Sequence, residues 1–246
     1  MQKYLFFFVM SWTERTELLL GEENVLKLAS SRVAVVGLGG VGAYAAEMLC
    51  RSGIGSMLLV DNDTVSLTNI NRQLPALHST IGRPKIEVVC ERLRDINPDV
   101  RLECVRDYLT EGNVAQIITG DFDYVVDAID TLSPKIALIQ HCLAKGYPLV
   151  SSMGSGAKTD ATKVRLADIS RTYQCPLAHM LRKRLHKLGI REGFLAVFSE
   201  ELPARESVVL EESANKKSQV GTISYIPAVF GCVCAQAAVQ GIVGIR

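Results

Sequence analysis

The 246-residue chain has no C-x-x-C pair, which excludes a paired-cysteine zinc ribbon. Its four histidines (His78, His141, His179 and His186) show no metal-ligand spacing and read as structural or surface groups. An excess of charge of one sign is missing too. The 27 Lys and Arg against 26 Asp and Glu leave a net +1, so nothing draws the whole molecule to nucleic acid or anionic membrane. Any polynucleotide contact must come from a local patch. The seven cysteines are odd in number and scattered, several among apolar residues, as expected of free buried thiols in a reducing cytoplasm.

No internal repeat and no linker divide the sequence, so residues 11–246 are expected to form a single domain. The apolar run at 4–10 follows one lysine and is at the short edge for a signal-peptide core. Trp-Thr-Glu-Arg comes after it in place of a small-residue cleavage site. Residues 1–10 therefore read as a flexible extension, or as sequence ahead of a true start at Met10. The stretch 223–245 carries no charge over 23 residues, long enough for a membrane span. It contains Pro227, three Gly and two Gln and lacks a Leu-rich centre, which favours a buried core helix over a stable span.

The rest alternates short β-branched runs with helical periodicity. Strands are expected at 32–37, 56–61, 101–106, 123–127 and 148–152, and helices at 41–52, 85–96, 111–119 and 134–145. That alternation predicts an α/β fold of the Rossmann-like, doubly wound kind with a mostly parallel sheet. The second half is less regular and partly antiparallel. It has strands near 164–167 and 194–198, a basic helix at 176–188 and a polar loop at 200–219.

Chemistry concentrates after the first strand. Gly37, Gly39, Gly40 and Gly42 sit where a strand gives way to a helix, so backbone N–H groups can approach a phosphate at the helix N-terminus. Asp61, 19 residues beyond Gly42, ends the second strand, a usual place for a ribose-binding carboxylate. So far a nicotinamide, flavin or ATP site fits equally. The following segment separates them. Asp63, Asn69, Arg72 and Gln73 cluster after the strand, and Arg72 with Lys85 supplies two cations, which a triphosphate needs more than a dinucleotide does. Asp130 follows another strand on the same sheet edge. A carboxylate beside a triphosphate calls for a divalent cation between them, so Asp130 reads as a Mg²⁺ ligand; a helix N-cap is the alternative.

At these residues the chain resembles the ThiF/MoeB/HesA family, relatives of the ubiquitin-activating enzymes. The shared segments are Gly37-Leu-Gly-Gly-Val-Gly42, Asp61-Asn-Asp63, Thr68-Asn-Ile-Asn-Arg-Gln73, Gly82-Arg-Pro-Lys85 and Asp127-Ala-Ile-Asp130-Thr131. Within the family, Arg51-Ser-Gly-Ile-Gly55, Ile96-Asn-Pro98 and Val164-Arg-Leu-Ala-Asp-Ile-Ser170 are similar to the branch that dehydrates threonylcarbamoyladenosine in tRNA. The resemblance implies ATP and Mg²⁺ as cofactors, with Na⁺ or K⁺ as a further candidate. It puts Asp61 on the ribose, Asn69, Arg72, Gln73 and Lys85 on the phosphates, and Asp130 on the metal. Arg15 matches an arginine lent to the neighbouring subunit's triphosphate, implying a homodimer; a sulfur-transfer or cysteine desulfurase partner is also expected of such relatives. Cys175 departs from the branch, standing where an acid is usual, and reads either as a structural thiol or as a reactive one near Lys or Arg.

The basic helix carries Arg182, Lys183, Arg184 and Lys187 beside an expected apolar stripe of Leu177, Met180, Leu181, Leu185 and Leu188. It is a solvated face or a tRNA-binding one, which Lys158, Lys163, Arg165 and Arg171 would extend. The leading expectation is ATP-dependent cyclisation of the modified nucleoside. Adenylation of a ubiquitin-like sulfur carrier, an NAD-dependent oxidoreductase and a non-catalytic nucleotide-binding scaffold remain as competitors.

Overall fold

A computed structural model describes residues 11–210 and 218–245, so the expectation for residues 1–10 lies outside it. In chain order the elements are helices α1 (Glu14–Leu20) and α2 (Glu22–Ser30), strand β1 (Arg32–Val36), α3 (Gly42–Arg51), β2 (Ser56–Val60), α4 (Lys85–Ile96), β3 (Arg101–Val105), a single helical turn α5 (Val114–Ile117), β4 (Tyr124–Asp127), α6 (Leu132–Lys145), β5 (Leu149–Ser152), β6 (Val164–Asp168), α7 (Pro176–Lys187), β7 (Leu195–Ser199), β8 (Val208–Leu210), β9 (Ser218–Val220) and α8 (Tyr225–Val243).

Seven strands form one sheet in the order β3-β2-β1-β4-β5-β7-β6, and β8 and β9 pair separately. Every neighbouring pair in the large sheet is parallel except β6 with β7. Side chains alternate across it with period two. Val33, Val35, Met57 and Leu59 face a core closed by α3, α4 and α8. Ala34, Val36, Leu58 and Val60 face the core under α6 and α7. The central strands are buried on both faces, which explains their continuous apolar runs. β3 lies at the edge and keeps Arg101, Glu103 and Cys104 exposed.

The membrane-length segment is a core helix. Ile226, Phe230, Cys234, Ala238 and Ile242 are buried at four-residue spacing along α8. A Cβ on Gly231 would lie 2.4 Å from the Val41 carbonyl oxygen and 2.7 Å from the Tyr44 Cβ, so glycine permits α8 to cross the start of α3 closely. Among the described residues this is the single helix long and apolar enough to cross a membrane.

Three expectations are corrected. The helix expected at 111–119 is only the turn α5: the Asn113 carboxamide accepts from the Thr110 N–H at 2.7 Å and holds the chain in a preceding turn, and Gly120 at φ 84° closes the segment. The polar loop at 200–219 contains an antiparallel pair, with Val208 opposite Val220 and Leu210 opposite Ser218; the β-branched Val208-Val209 is outweighed in composition by its polar surroundings. Residues 211–217 lie outside the described chain. Cys90 on α4 and Cys104 on β3 are paired as a disulfide across the short 97–100 connection, a departure from the expected reducing setting, while Cys50, Cys142, Cys175 and Cys234 are the buried free thiols expected of the sequence.

Candidate nucleotide-binding site

In the sheet order, β1 is where the chain reverses its direction of progress: β2 and β3 lie to one side and β4 and β5 to the other. The carboxyl ends of β1 and β4 therefore frame a crevice at the topological switch point, where open α/β sheets bind ligands. Val36 is level with Val60 and with Asp127, so the glycine loop, Asp61 and the 128–131 turn leave the sheet side by side.

The glycines in the loop differ in their duties. Gly37 has φ 89°, and a Cβ there would lie 2.9 Å from the Ala128 carbonyl oxygen. A Cβ on Gly42 would lie 1.7 Å from the Gly37 carbonyl oxygen, so this glycine closes the turn. One on Gly40 would press on Pro227 at 3.0 Å and on the Arg72 carbonyl oxygen at 3.3 Å. Gly39 is otherwise: the nearest atom to its Cβ position is the Gln73 amide nitrogen at 3.8 Å, an ordinary contact. No packing demand of the protein accounts for glycine there, whereas close approach of a phosphate would.

Asp61 ties the loop to the next segment. Its Oδ2 accepts from the Leu38 N–H at 2.6 Å and its Oδ1 from the Asp63 N–H at 2.8 Å. A carboxylate has about four acceptor positions, so ribose hydroxyls can still be bound. Burial pushes its carboxyl above the usual range, opposed by the Lys85 charge and the two N–H donors. Lys85 is buried at the start of α4 and donates to Asp63 Oδ2 at 2.7 Å. Arg72 Nη1 donates to the Thr68 carbonyl oxygen at 2.9 Å and to Asn71 Oδ1 at 2.8 Å, while Asn71 Nδ2 holds the Thr222 carbonyl oxygen at 2.9 Å. The Asn69 oxygen accepts from the Ser66 N–H at 3.1 Å and caps the short turn Leu67–Asn69. Gln73 Oε1 is buried with no hydrogen-bond partner among the described residues, an acceptor that a donor on a ligand would satisfy, while the amide nitrogen, which can donate to a phosphate, lies 3.8 Å from the Cβ position of Gly39.

Asp130 is exposed on the turn after β4. The residue at the N-cap position of α6 is Thr131, whose side chain makes no capping hydrogen bond. No group of three or more His, Cys, Asp or Glu able to hold a metal exists among the described residues. A divalent ion at Asp130 would thus draw its remaining ligands from triphosphate oxygens and water, the habit of Mg²⁺. Asp127 offers it nothing: fully buried, it is bonded through Oδ2 to Lys135 at 2.7 Å and Ser151 at 2.6 Å, and through Oδ1 to the Ile129 N–H at 3.0 Å.

The ThiF family model matches residues 14–246. The chain belongs to the ThiF family. It is 43% identical over 227 residues to a tRNA threonylcarbamoyladenosine dehydratase of Bacillus subtilis, covering 89% of each chain. The crystal structure of the E. coli tRNA N6-threonylcarbamoyladenosine dehydratase in complex with ATP superposes with a TM-score of 0.87 at 38% identity, covering 95% of both chains. The molybdopterin-synthase adenylyltransferase of E. coli is 35% identical over 148 residues, 60% of this chain and 59% of its own.

Within this ThiF-family chain, Arg15 stands apart from the other site residues. The Thr13 methyl packs 3.7 Å from the Cβ position of Gly53, beyond the far end of α3. Ten helical residues, about 15 Å, separate that end from the glycine loop. Helix α1 buries none of its residues, and Trp12 ahead of it, Leu18 and Leu19 on it and Leu26 on α2 are exposed.

The basic helix is rotated from the expected stripe. Ala178, Leu181 and Leu185 are the residues it buries, leaving Met180 and Leu188 exposed. Lys183, Arg184 and Lys187 point outward on the face of Met180, at spacings of three, four and seven. Arg182 is half-buried and bonded to the Thr172 carbonyl oxygen at 2.7 Å and to its hydroxyl. The surface extension is reduced. Lys158 is buried, donating to the Gly156 carbonyl oxygen at 3.0 Å, and burial pushes its ammonium below the usual lysine range against the pull of Cys175 and Glu201. Arg165 is paired with Glu200 at 2.8 Å. Cys175 is itself buried at the N-cap of α7 with Lys158 as its charged neighbour, so burial favours the structural reading and the lysine the reactive one.

Sequence reasoning missed the Asp127–Lys135–Ser151 cluster beneath Asp130. A signal existed: Lys135 is a charge set directly before the apolar run Ile136-Ala-Leu-Ile139.

Proposed function

We propose that this chain is an ATP-dependent tRNA threonylcarbamoyladenosine dehydratase, with residues 11–246 acting as one adenylating domain. The observation that carries the reading is full-length similarity to proteins of that name, 38–43% identical over about nine-tenths of each chain. The glycine loop, two cations and an accessible carboxylate at the switch point are the equipment such a reaction needs.

A free carboxylate is a poor electrophile because its leaving group would be oxide. ATP removes that obstacle: the threonyl carboxylate oxygen attacks the α-phosphorus and pyrophosphate departs. The ureido oxygen then attacks the acyl carbon, AMP leaves with the bonding pair, and the ureido N–H gives up its proton. The net change is loss of one water from the nucleoside and conversion of ATP to AMP and pyrophosphate. The second step is intramolecular, so no protein nucleophile is required.

The protein's part is positioning and charge. Backbone N–H groups around Gly39 and the Gln73 amide receive the phosphates, Asp61 takes the ribose hydroxyls, and Arg72 and Lys85 neutralise the charge that builds as pyrophosphate leaves. Lys85 must exchange Asp63 for the phosphate or share itself between them. Mg²⁺ held by Asp130 would supply Lewis-acid charge to the phosphate oxygens. Arg15 reaches the triphosphate only from a second copy, whose docking would cover the apolar side chains around α1. The Lys183, Arg184 and Lys187 face provides phosphate contacts for tRNA. The family resemblance supports a sulfur-transfer partner, and a tRNA substrate supports a cytoplasmic location.

The test measures AMP and pyrophosphate formation from ATP and Mg²⁺ with threonylcarbamoyl-modified tRNA, unmodified tRNA or a ubiquitin-like sulfur carrier. Sodium and potassium salts are compared, and Asp130→Ala is the control. AMP formed only with modified tRNA, and lost in the control, is the expected result. Turnover only with the carrier protein would move the assignment to sulfur-carrier adenylation.

A further inference from the structure

We infer that Lys135, through a buried ion pair with Asp127, is a positioning residue that holds the turn carrying Asp130 in its metal-binding conformation; this rests on the reading of Asp130 as the Mg²⁺ ligand. Lys135 and Asp127 have no exposed surface at all. The Lys135 ammonium donates to Asp127 Oδ2 at 2.7 Å, to Ser151 Oγ at 3.0 Å and to the Ser152 carbonyl oxygen at 3.0 Å. All three of its protons are thereby used. Ser151 donates in turn to Asp127 Oδ2 at 2.6 Å, and Asp127 Oδ1 accepts from the Ile129 N–H at 3.0 Å.

The position of the pair gives it a purpose. Asp127 ends β4 and Lys135 lies in the first turns of α6, so together they clamp the 128–131 turn from both sides. The same turn is pressed against the glycine loop, because Cβ positions on Gly37 and Gly42 lie 2.9 Å from the Ala128 oxygen and 3.0 Å from the Ala128 Cβ. Asp130 is thus held in register with the loop that receives the phosphates.

Stability alone does not account for the pair. A lysine near a helix N-terminus opposes the helix dipole. Burying two charges costs solvation that their attraction roughly repays, and apolar replacements of similar volume are often as stable. What the pair adds is a fixed geometry: a charged, fully bonded cluster has one arrangement, where an apolar plug would tolerate several.

The experiment compares the parent, the neutralised double variant Asp127→Asn with Lys135→Met, the milder Ser151→Ala, and Asp130→Ala. Mn²⁺ is titrated in the presence of a non-hydrolysable ATP analogue and followed by electron paramagnetic resonance. Binding of the analogue in EDTA and thermal melting are recorded alongside. The double variant is expected to fold and to bind the analogue normally in EDTA, but to hold Mn²⁺ about 10- to 100-fold more weakly. Ser151→Ala, which removes one strut and keeps the ion pair, is expected to weaken Mn²⁺ measurably at unchanged EDTA affinity. Should the double variant not fold, Ser151→Ala decides, and parent-like Mn²⁺ affinity in it would overturn the inference. Loss of Mn²⁺ in Asp130→Ala with none in a folded double variant would overturn the clamp alone. Parent-like affinity in Asp130→Ala would overturn the metal-ligand reading and the clamp with it.

Discussion

Replacing Gly39 and Gly42 separately by alanine distinguishes a glycine kept for a ligand from one kept for the fold. At Gly42 the added methyl would lie 1.7 Å from the Gly37 carbonyl oxygen. A carbon–oxygen contact needs about 3.3 Å, so the turn must open by about 1.6 Å. Overpacking of this kind costs about 3 kcal/mol or more, and a domain of this size loses roughly 2–4 °C in Tm per kcal/mol. Gly42→Ala should therefore melt about 6–12 °C below the parent. At Gly39 the methyl meets only the Gln73 amide at 3.8 Å, and the backbone there is not in the left-handed region. The Tm of Gly39→Ala should stay within about 2 °C of the parent. On the proposed function, the methyl would occupy the space through which a phosphate approaches the loop. Losing one charge-assisted hydrogen bond costs about 1.5–3 kcal/mol, or roughly 10- to 100-fold in ATP affinity. Differential scanning fluorimetry and calorimetric titration with ATP read the two effects separately. Parent-like ATP affinity in Gly39→Ala, or a melt as low as that of Gly42→Ala, would refute the reasoning.

Three more predictions concern other parts of the molecule. Mixing Arg15→Ala with Asp130→Ala should restore about a quarter of parental activity, because half of randomly paired dimers are mixed and each has one complete site; no recovery after subunit exchange would remove Arg15 from the partner's site. Changing Lys183, Arg184 and Lys187 together to alanine should leave ATP affinity intact and flatten the log–log salt dependence of tRNA binding by about 2–3, whereas an unchanged slope would leave this a solvated face. Glu47, nearly buried, feels desolvation first, yet hydrogen bonds from Arg92 at 2.5 Å and Arg51 at 2.8 Å hold its carboxyl below the ordinary range. Its contribution is thus complete above the unfolded value near 4.5 and is lost as pH falls through the lower folded value. With both arginines half-exposed, Glu47→Gln should cost on the order of 1–2 kcal/mol at neutral pH. The deficit should shrink in acid, and a pH-independent deficit in thermal melts would contradict this.

What the sequence revealed follows what is local. The runs ending at Gly37, Asp61 and Asp127 are strands because β-branched apolar residues follow one another without a polar break. The 85–96 helix is bounded by Pro84 and Asn97-Pro98, signals within a few residues of its ends. The glycine loop was legible because strand, glycine spacing and helix are contiguous. What stayed hidden is non-local. The β8–β9 pair is a contact between short segments whose own composition is polar or brief. On α7, Met180 and Leu188 are as apolar as Leu181 and Leu185, and only the placement of α6 and the sheet decides which are covered. Lys158 looked like a surface cation because lysine usually is one; its burial depends on the 153–160 segment packing beneath residues that arrive some sixty positions later, with Tyr225 donating to the Thr159 carbonyl oxygen at 2.8 Å. The Asp127–Lys135–Ser151 cluster joins residues from β4, α6 and β5, so no window of sequence contains its geometry.

The most direct test of the account is the mass of the nucleoside. The purified protein is incubated with ATP, Mg²⁺ and threonylcarbamoyl-modified tRNA, the tRNA is digested under mild conditions, and the modified adenosine is analysed by mass spectrometry beside the AMP formed. The account predicts a product lighter by one water, one AMP for each nucleoside converted, and neither in the absence of ATP. An unchanged nucleoside mass, or AMP formed without that loss of water, would contradict it.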